Sequence, residues 1–264
     1  MLSSLLLATG APAADEITSL PGWSGALPSK WYSGYVNVTA SMDREMLVHY
    51  VYIESEGDAA HDPTILWTNG GPGASSMFGL LVELGPLILN ENSVATPEFK
   101  KSGVPTLYRN DFGWSKLGGV LMFDWPPPVG FSYCDNNASG SGYSCGDWDD
   151  SRMAAVQYAA LKGWFDLFPE RQKNDLYLTG ESYAGIYVPL LAHAVHVSNA
   201  RVAAAGAASM RRSASSTRST STERSCTSSI KTWLTPHSSA SVSSRRSSTP
   251  SSSPWPRWGS SGAP

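Results

Sequence analysis

Three short stretches of the chain, TILWT (64–68), GVLMFD (119–124) and DLYLT (175–179), are apolar with almost no interruption. A strand with one wet face alternates apolar and polar side chains, so unbroken runs of this length mark strands covered on both faces. Between them the periodicity changes. Residues 151–168, SRMAAVQYAALKGWFDLF, place apolar side chains at helical spacing and stop at Pro169, and a second helix is predicted from residue 186 to about residue 196. Buried strands alternating with helices predict an α/β fold, a mostly parallel sheet with helices on both faces. Upstream, YSGYVNVTA and MLVHYVYIES alternate over residues 32–55 around the turn-like SMDRE, which predicts an antiparallel hairpin leading into that sheet.

Charge divides the chain in two. Residues 201–264 contain eight Arg, one Lys and one Glu, a net +8, whereas the first 200 residues carry 10 bases and 21 acids, a net −11. The same tail holds 21 serines and keeps neither periodicity. It cannot bury enough apolar surface to offset its ordering entropy, so it is expected to be disordered. The organisation read from the sequence is a signal peptide over residues 1–14, an α/β domain over 15–200 and a Ser/Arg-rich tail over 201–264. MLSSLLLATGAPAA supplies the short apolar run and the small residues of a cleavage site, although no basic residue precedes the run. Glycosylation sequons at Asn37 and Asn137 agree with a secretory route, extracellular or vacuolar/lysosomal. Cys134 and Cys145 are close enough for a disulfide loop, or stand as two free thiols. No run is long enough to span a membrane. No metal-ligand cluster, phosphate loop or dinucleotide fingerprint is visible, so neither a metal nor a cofactor is expected. The basic tail has no regular Arg-Ser repeats and no interleaved aromatics beyond Trp233, Trp255 and Trp258, so no nucleic-acid partner is expected.

The chemistry concentrates at residues 176–191, LYLTGESYAGIYVPLL. An apolar strand, a turn carrying Ser182 and an apolar helix make up the nucleophile-elbow pattern, with Ala184 in place of the usual second glycine. Small residues on either side let the serine sit in a strained turn with its hydroxyl above the sheet. The Tyr183 amide can then donate to an oxyanion. The strand at 64–68 runs straight into Asn69-Gly70-Gly71-Pro72-Gly73, where the backbone can approach a ligand closely. Gly71 is the candidate second oxyanion donor.

WTNGGPGASS (67–76), Glu83-Leu84-Gly85-Pro86, Val129-Gly130-Phe131-Ser132-Tyr133 and GESYAGIYVP (180–189), with LPGWSG ahead of a YSGYV strand, resemble the serine carboxypeptidases, which are α/β-hydrolases. The likeness covers residues 20–194. It implies a serine-type carboxypeptidase that releases C-terminal residues from peptides through an acyl-enzyme on Ser182, with the Gly71 and Tyr183 amides as the oxyanion hole. It implies that Asn69, Gly70 and Glu181 meet the peptide's terminal carboxylate, with Glu83 bonded to Glu181. Two neighbouring carboxyls do not both ionise cheaply, so one keeps a proton to donate, and acid conditions are favoured. Two departures stand out: Ala74 replaces a family cysteine, and Pro128 replaces a glycine.

Beyond Ser182 the chain has no Asp, one Glu (Glu223) and the histidines His193, His196 and His237. The first two lie several turns along the elbow helix, pointing away from the serine, and the third sits in the tail. The resemblance implies that the triad's acid and base come from the C-terminal part of the fold. This chain therefore reads as a truncated or misread copy, with the sheet incomplete at its C-terminal side and the chain as written inactive. The alternatives are an acyltransferase using the same serine, which Asn69, Glu83 and Glu181 disfavour, and a non-catalytic remnant.

Overall fold

A computed structural model describes residues 11–42, 44–135, 145–214 and 230–232. Their order is β1 (Glu16–Ile17), β2 (Trp31–Asn37), β3 (Met46–Ile53), β4 (Thr64–Thr68), β5 (Leu87–Ile88), α1 (Pro97–Ser102), β6 (Tyr108–Arg109), β7 (Gly119–Phe123), β8 (Tyr133–Cys134), α2 (Asp150–Leu167), β9 (Leu176–Gly180), α3 (Ala184–Ala214) and β10 (Ile230–Thr232). The strand order is β1-β2-β3-β7-β4-β9-β10, with β8 also pairing β3 and β5 and β6 forming a separate pair.

The sheet is mixed. β1, β2 and β3 are antiparallel neighbours, and β3 meets β7 antiparallel. From β7 through β4 and β9 to β10 every pairing is parallel. The parallel character expected from the unbroken apolar runs thus belongs to one half of the sheet, and the alternating hairpin supplies the other. Successive residues send side chains to opposite faces. Leu66, Leu121, Phe123 and Leu178 join one core, under Trp164 and Phe168 and the elbow-helix residues Val188 and Leu191. Trp67, Val120 and Met122 join the second, with Leu80, Leu84 and Leu87. The long helices α2 and α3 therefore share a face. A π-helical turn, Gly79–Leu84, covers part of the other.

α2 starts where its cap is. The Asp149 carboxylate accepts the Arg152 amide at 2.7 Å, and a carboxylate at that end also opposes the positive end of the helix dipole. Cys134 and Cys145 are joined, which settles the pairing that the sequence left open. Closing a loop of this size contributes roughly 3 kcal/mol in the chain-entropy account.

Two expectations for the C-terminal side are corrected. The elbow helix does not end near residue 196 but continues to Ala214, past the boundary drawn at residue 200. Poly-alanine stretches such as Ala203-Ala204-Ala205 prolong a helix through propensity without supplying an apolar stripe to read. The parallel edge of β9 is also not bare: Ile230, Lys231 and Thr232 pair with Leu176, Tyr177 and Leu178. Three residues within a serine-rich context are too few to show a strand period. The signal-peptide run over residues 1–10, the Asn137 sequon, His237 and Glu223 lie outside the described residues.

Candidate active site

β4 and β9 are adjacent parallel strands, with Trp67 opposite Thr179 and Thr68 opposite Gly180. Their carboxyl ends therefore release Asn69-Gly70-Gly71 and Glu181-Ser182 side by side, the usual position for a site in an open parallel sheet. Ser182 has φ 56°, the one positive φ at a non-glycine among the described residues. That left-handed backbone is the strained turn expected of an elbow. Small neighbours are a steric necessity here. A Cβ on Gly180 would fall 2.5 Å from the Thr68 carbonyl oxygen and 2.6 Å from the Ala184 Cβ. Ala184 is fully buried, so the position that departs from the usual elbow pattern has room for a methyl and little more.

The glycine loop comes up against this turn. A Cβ on Gly70 would stand 2.4 Å from the Tyr183 nitrogen and 3.0 Å from the Ser182 Cβ. Among the described residues, the amides of Gly71 and Tyr183 donate to no partner. Two unpaired N–H groups beside an exposed serine are unusual, because backbone donors are nearly always satisfied. They are available to a developing oxyanion.

Asn69 is buried, and its amide group is fully used. Its Oδ1 accepts from Trp67 Nε1 at 3.0 Å and from the Gly79 amide at 3.1 Å. Its Nδ2 donates to Glu181 Oε1 at 2.8 Å and to Glu83 Oε2 at 3.4 Å. The two donors at Oδ1 fix which end of the amide faces the acids. The resemblance implied a bond from Glu83 to Glu181, and the Asn69 amide reaches both carboxyls. The Glu83 carboxyl is pushed up from the ordinary glutamate range, first by burial and then by the charge of Glu181, against the hydrogen bond from Asn69. It reaches the site from the π-helical turn, a distortion that often accompanies function.

The sequence over residues 21–208 matches a family model described as serine carboxypeptidase. The chain belongs to the serine carboxypeptidase family. It is 42% identical over 200 residues to serine carboxypeptidase-like 20 of Arabidopsis thaliana, covering 75% of this chain and 37% of that protein. Serine carboxypeptidase 1 of Hordeum vulgare is 42% identical over 185 residues, covering 70% and 34%. The lysosomal protective protein of Mus musculus is 41% identical over 182 residues, covering 69% and 34%. In three dimensions the chain resembles KEX1(delta)p, a prohormone-processing carboxypeptidase from Saccharomyces cerevisiae, with TM-score 0.53 and 29% identity over 65% of this chain and 35% of that one. The chain spans about a third of the length of these relatives.

In this serine carboxypeptidase chain the Ser182 hydroxyl has no hydrogen-bond partner among the described residues, and none of the described histidines reaches it. His193 and His196 lie along α3, as their spacing predicted. His61 bonds Asp58 on the surface. His49 is bonded on both ring nitrogens, to Ser33 Oγ at 2.8 Å and to Asp124 Oδ2 at 3.0 Å. The sequence reading missed Asp124, which also accepts from Ser75 in the glycine loop and from the Phe131 amide. It missed the cleft beside Tyr183 as well, since its walls come from four separate segments. Pro128, noted as a departure, is part of that wall.

Proposed function

We propose that this site is the nucleophile, oxyanion-hole and carboxylate-binding part of a serine-type carboxypeptidase acting on peptides with a free C-terminus, and that its chemistry needs a base that no described residue supplies. The observation that supports it best is the Asn69 amide set between Glu83 and Glu181 directly ahead of Ser182. A protonated Glu83 presents a hydrogen-bond donor to a terminal carboxylate, and Asn69 adds a second by exchanging its long 3.4 Å bond to Glu83 for one to the substrate, which places the last peptide bond over the serine. Ser182 Oγ attacks the carbonyl carbon, and the oxygen that gains the charge accepts from the Gly71 and Tyr183 amides. Collapse of the adduct releases the terminal amino acid and leaves an ester on Ser182, which water then cleaves. Loss of one such oxyanion donor typically costs about 100- to 1,000-fold in rate.

The hydroxyl proton must pass to a base, and no described residue supplies one within reach. The 264-residue chain by itself should therefore bind peptides but hydrolyse them no faster than its Ser182→Ala variant. Titration with an acetylated tripeptide and its C-terminal amide tests the reading. The acid should bind at least tenfold tighter than the amide, and the difference should vanish in Asn69→Ala. Equal affinities would remove the carboxylate site and, with it, the carboxypeptidase assignment.

We also infer passage through the secretory pathway. The Cys134–Cys145 disulfide and the exposed Asn37 at the end of β2 support it. Expression in a secretory host should give a glycosidase-sensitive band that Asn37→Gln shifts.

A further inference from the structure

A cleft of about 510 Å³ opens at Tyr183, the residue after Ser182, on the side of the sheet covered by α2 and α3. Pro72 and Gly73 of the glycine loop form one wall, Pro126 to Val129 a second, and Tyr183 and Tyr187 of the elbow helix a third. Asn69 hydrogen-bonds Trp67, whose side chain packs in the core of the opposite face. A peptide held by its terminal carboxylate at Asn69 would therefore cross Ser182 with its penultimate side chain over this cleft.

The lining is apolar except at one end. There Trp148, Asp149 and Asp150 lead into α2, and among the described residues those two aspartates are the only charged ones in the lining. Tyr183 donates to Asp150 Oδ1 at 3.1 Å, so that carboxylate is tied to the residue next to the nucleophile. Its charge is felt across the cleft: hydrogen bonding to Asp150 raises the Tyr183 phenol, and burial, with a contribution from Asp150, raises Tyr187. Asp149 accepts the Arg152 amide through one oxygen. Each carboxylate keeps a second oxygen without a hydrogen-bond partner among the described residues. The cation in that first turn, Arg152, stacks on the Trp148 ring at 4.9 Å and donates to the Asp147 and Cys145 carbonyls rather than lining the cleft.

Apolar walls ending in two carboxylates suit one kind of side chain, a long aliphatic stem with a cation at its tip. Lys and Arg lay their methylenes on such surfaces and keep the charge at the rim, where aromatic faces add attraction. An acidic side chain would meet like charge, and a neutral one would gain the walls alone. We propose that the cleft selects a basic residue, Lys or Arg, at the penultimate position of the peptide. The inference rests on the carboxypeptidase reading of the same site and adds the substrate class to it. Because both aspartates are exposed, the selectivity over Leu should be modest, roughly five- to tenfold at low salt.

The 264-residue chain is titrated with acetylated tripeptides bearing Lys, Arg, Leu or Glu in the penultimate position, each as free acid and as C-terminal amide. n-Butylammonium and 1-butanol are run beside them as probes of the cleft alone. Lys and Arg should bind tightest and Glu weakest. The preference should fade at high salt and disappear in Asp149→Asn/Asp150→Asn, where asparagine keeps both the helix cap and the acceptor for Tyr183. Leu binding as tightly as Lys, or a Lys preference that survives both neutralisation and salt, would overturn the assignment. Amidation without effect while Lys still leads would reject the carboxylate site and leave the cleft standing. If no peptide binds, butylammonium binding tighter than butanol upholds the cleft, and equal binding rejects it.

Discussion

The Ser75 hydroxyl donates to Asp124 Oδ1 across 2.5 Å, tying the glycine loop to the end of β7. Asp124 is fully buried, and its other oxygen accepts from the Phe131 amide and lies 3.0 Å from His49 Nδ1. Removing the carboxylate would leave the buried His49 Nδ1 unpaired and take a partner from the Ser75 hydroxyl and the Phe131 amide. Asp124→Ala should therefore cost about 3–5 kcal/mol, the range for breaking one side of a buried charged network. Ser75→Ala, which removes that bond and the one its hydroxyl accepts from the Met77 amide at 3.2 Å, should cost about 1–3 kcal/mol. Urea unfolding followed by tryptophan fluorescence measures both. A loss below 1 kcal/mol for Asp124→Ala would show that this network does not hold the loop.

Gly70 and Gly185 make a matched pair of substitutions. A Cβ on Gly70 would clash with the Tyr183 nitrogen at 2.4 Å, whereas one on Gly185 meets nothing within 4 Å. Gly70→Ala should lower stability by about 1–3 kcal/mol and displace the Tyr183 amide resonance, because the loop has to back away from the elbow. Gly185→Ala sits within α3 and should raise stability by about 0.5–1 kcal/mol. Equal effects from the two would mean that the loop does not press on the elbow.

Peptide binding should depend on pH through Glu83. Burial and the neighbouring Glu181 raise its titration, so its protonated form persists above the ordinary glutamate range. The proton supplies the donor to the substrate carboxylate. Affinity should thus be full on the acid side of the raised titration and fall as pH rises through it. The sign for stability is the same, since the folded state holds this proton more tightly than the unfolded chain. Glu83→Gln keeps a donor at every pH and should flatten the profile, as read by calorimetric titration at a series of pH values. An unchanged slope in Glu83→Gln would assign the dependence to another group.

The sequence showed most of what lies within one element and less of what joins distant ones. β4 appeared with both of its ends because an unbroken apolar run between polar residues has few other uses. Gly71 and Ser182 could be named because each sits in the turn that follows such a strand, whereas Asn69 and Glu181 were named only by the family resemblance. The Asn69 bridge to Glu83 depended on a π-helical turn that no periodicity announces. His49 and Asp124 lie 75 residues apart and meet because β3 pairs with β7, bringing Tyr50 opposite Phe123. Cys134 could be assigned to Cys145 only once β8 was set against β3, with Met46 opposite Cys134. The cleft was least legible of all, since proline, tryptophan and aspartate in loops carry no pattern until the sheet gathers them.

Ser182 should be a site where function and stability conflict. Its φ of 56° places a side chain in the left-handed region, where an L-residue pays roughly 1–2 kcal/mol that glycine avoids. Glycine loses more conformational entropy on folding, about 0.4–1 kcal/mol, which offsets part of the relief. Ser182→Gly should therefore be about 0.5–1 kcal/mol more stable than Ser182→Ala, although both remove the hydroxyl. Ser182→Ala should match the parent closely, since the hydroxyl is exposed and bonds to no described residue. Thermal unfolding of the three proteins side by side distinguishes the cases. If alanine and glycine prove equally stable, the turn holds no strain, and the nucleophile's placement must be explained by packing of the Ala184 methyl against Gly180 instead.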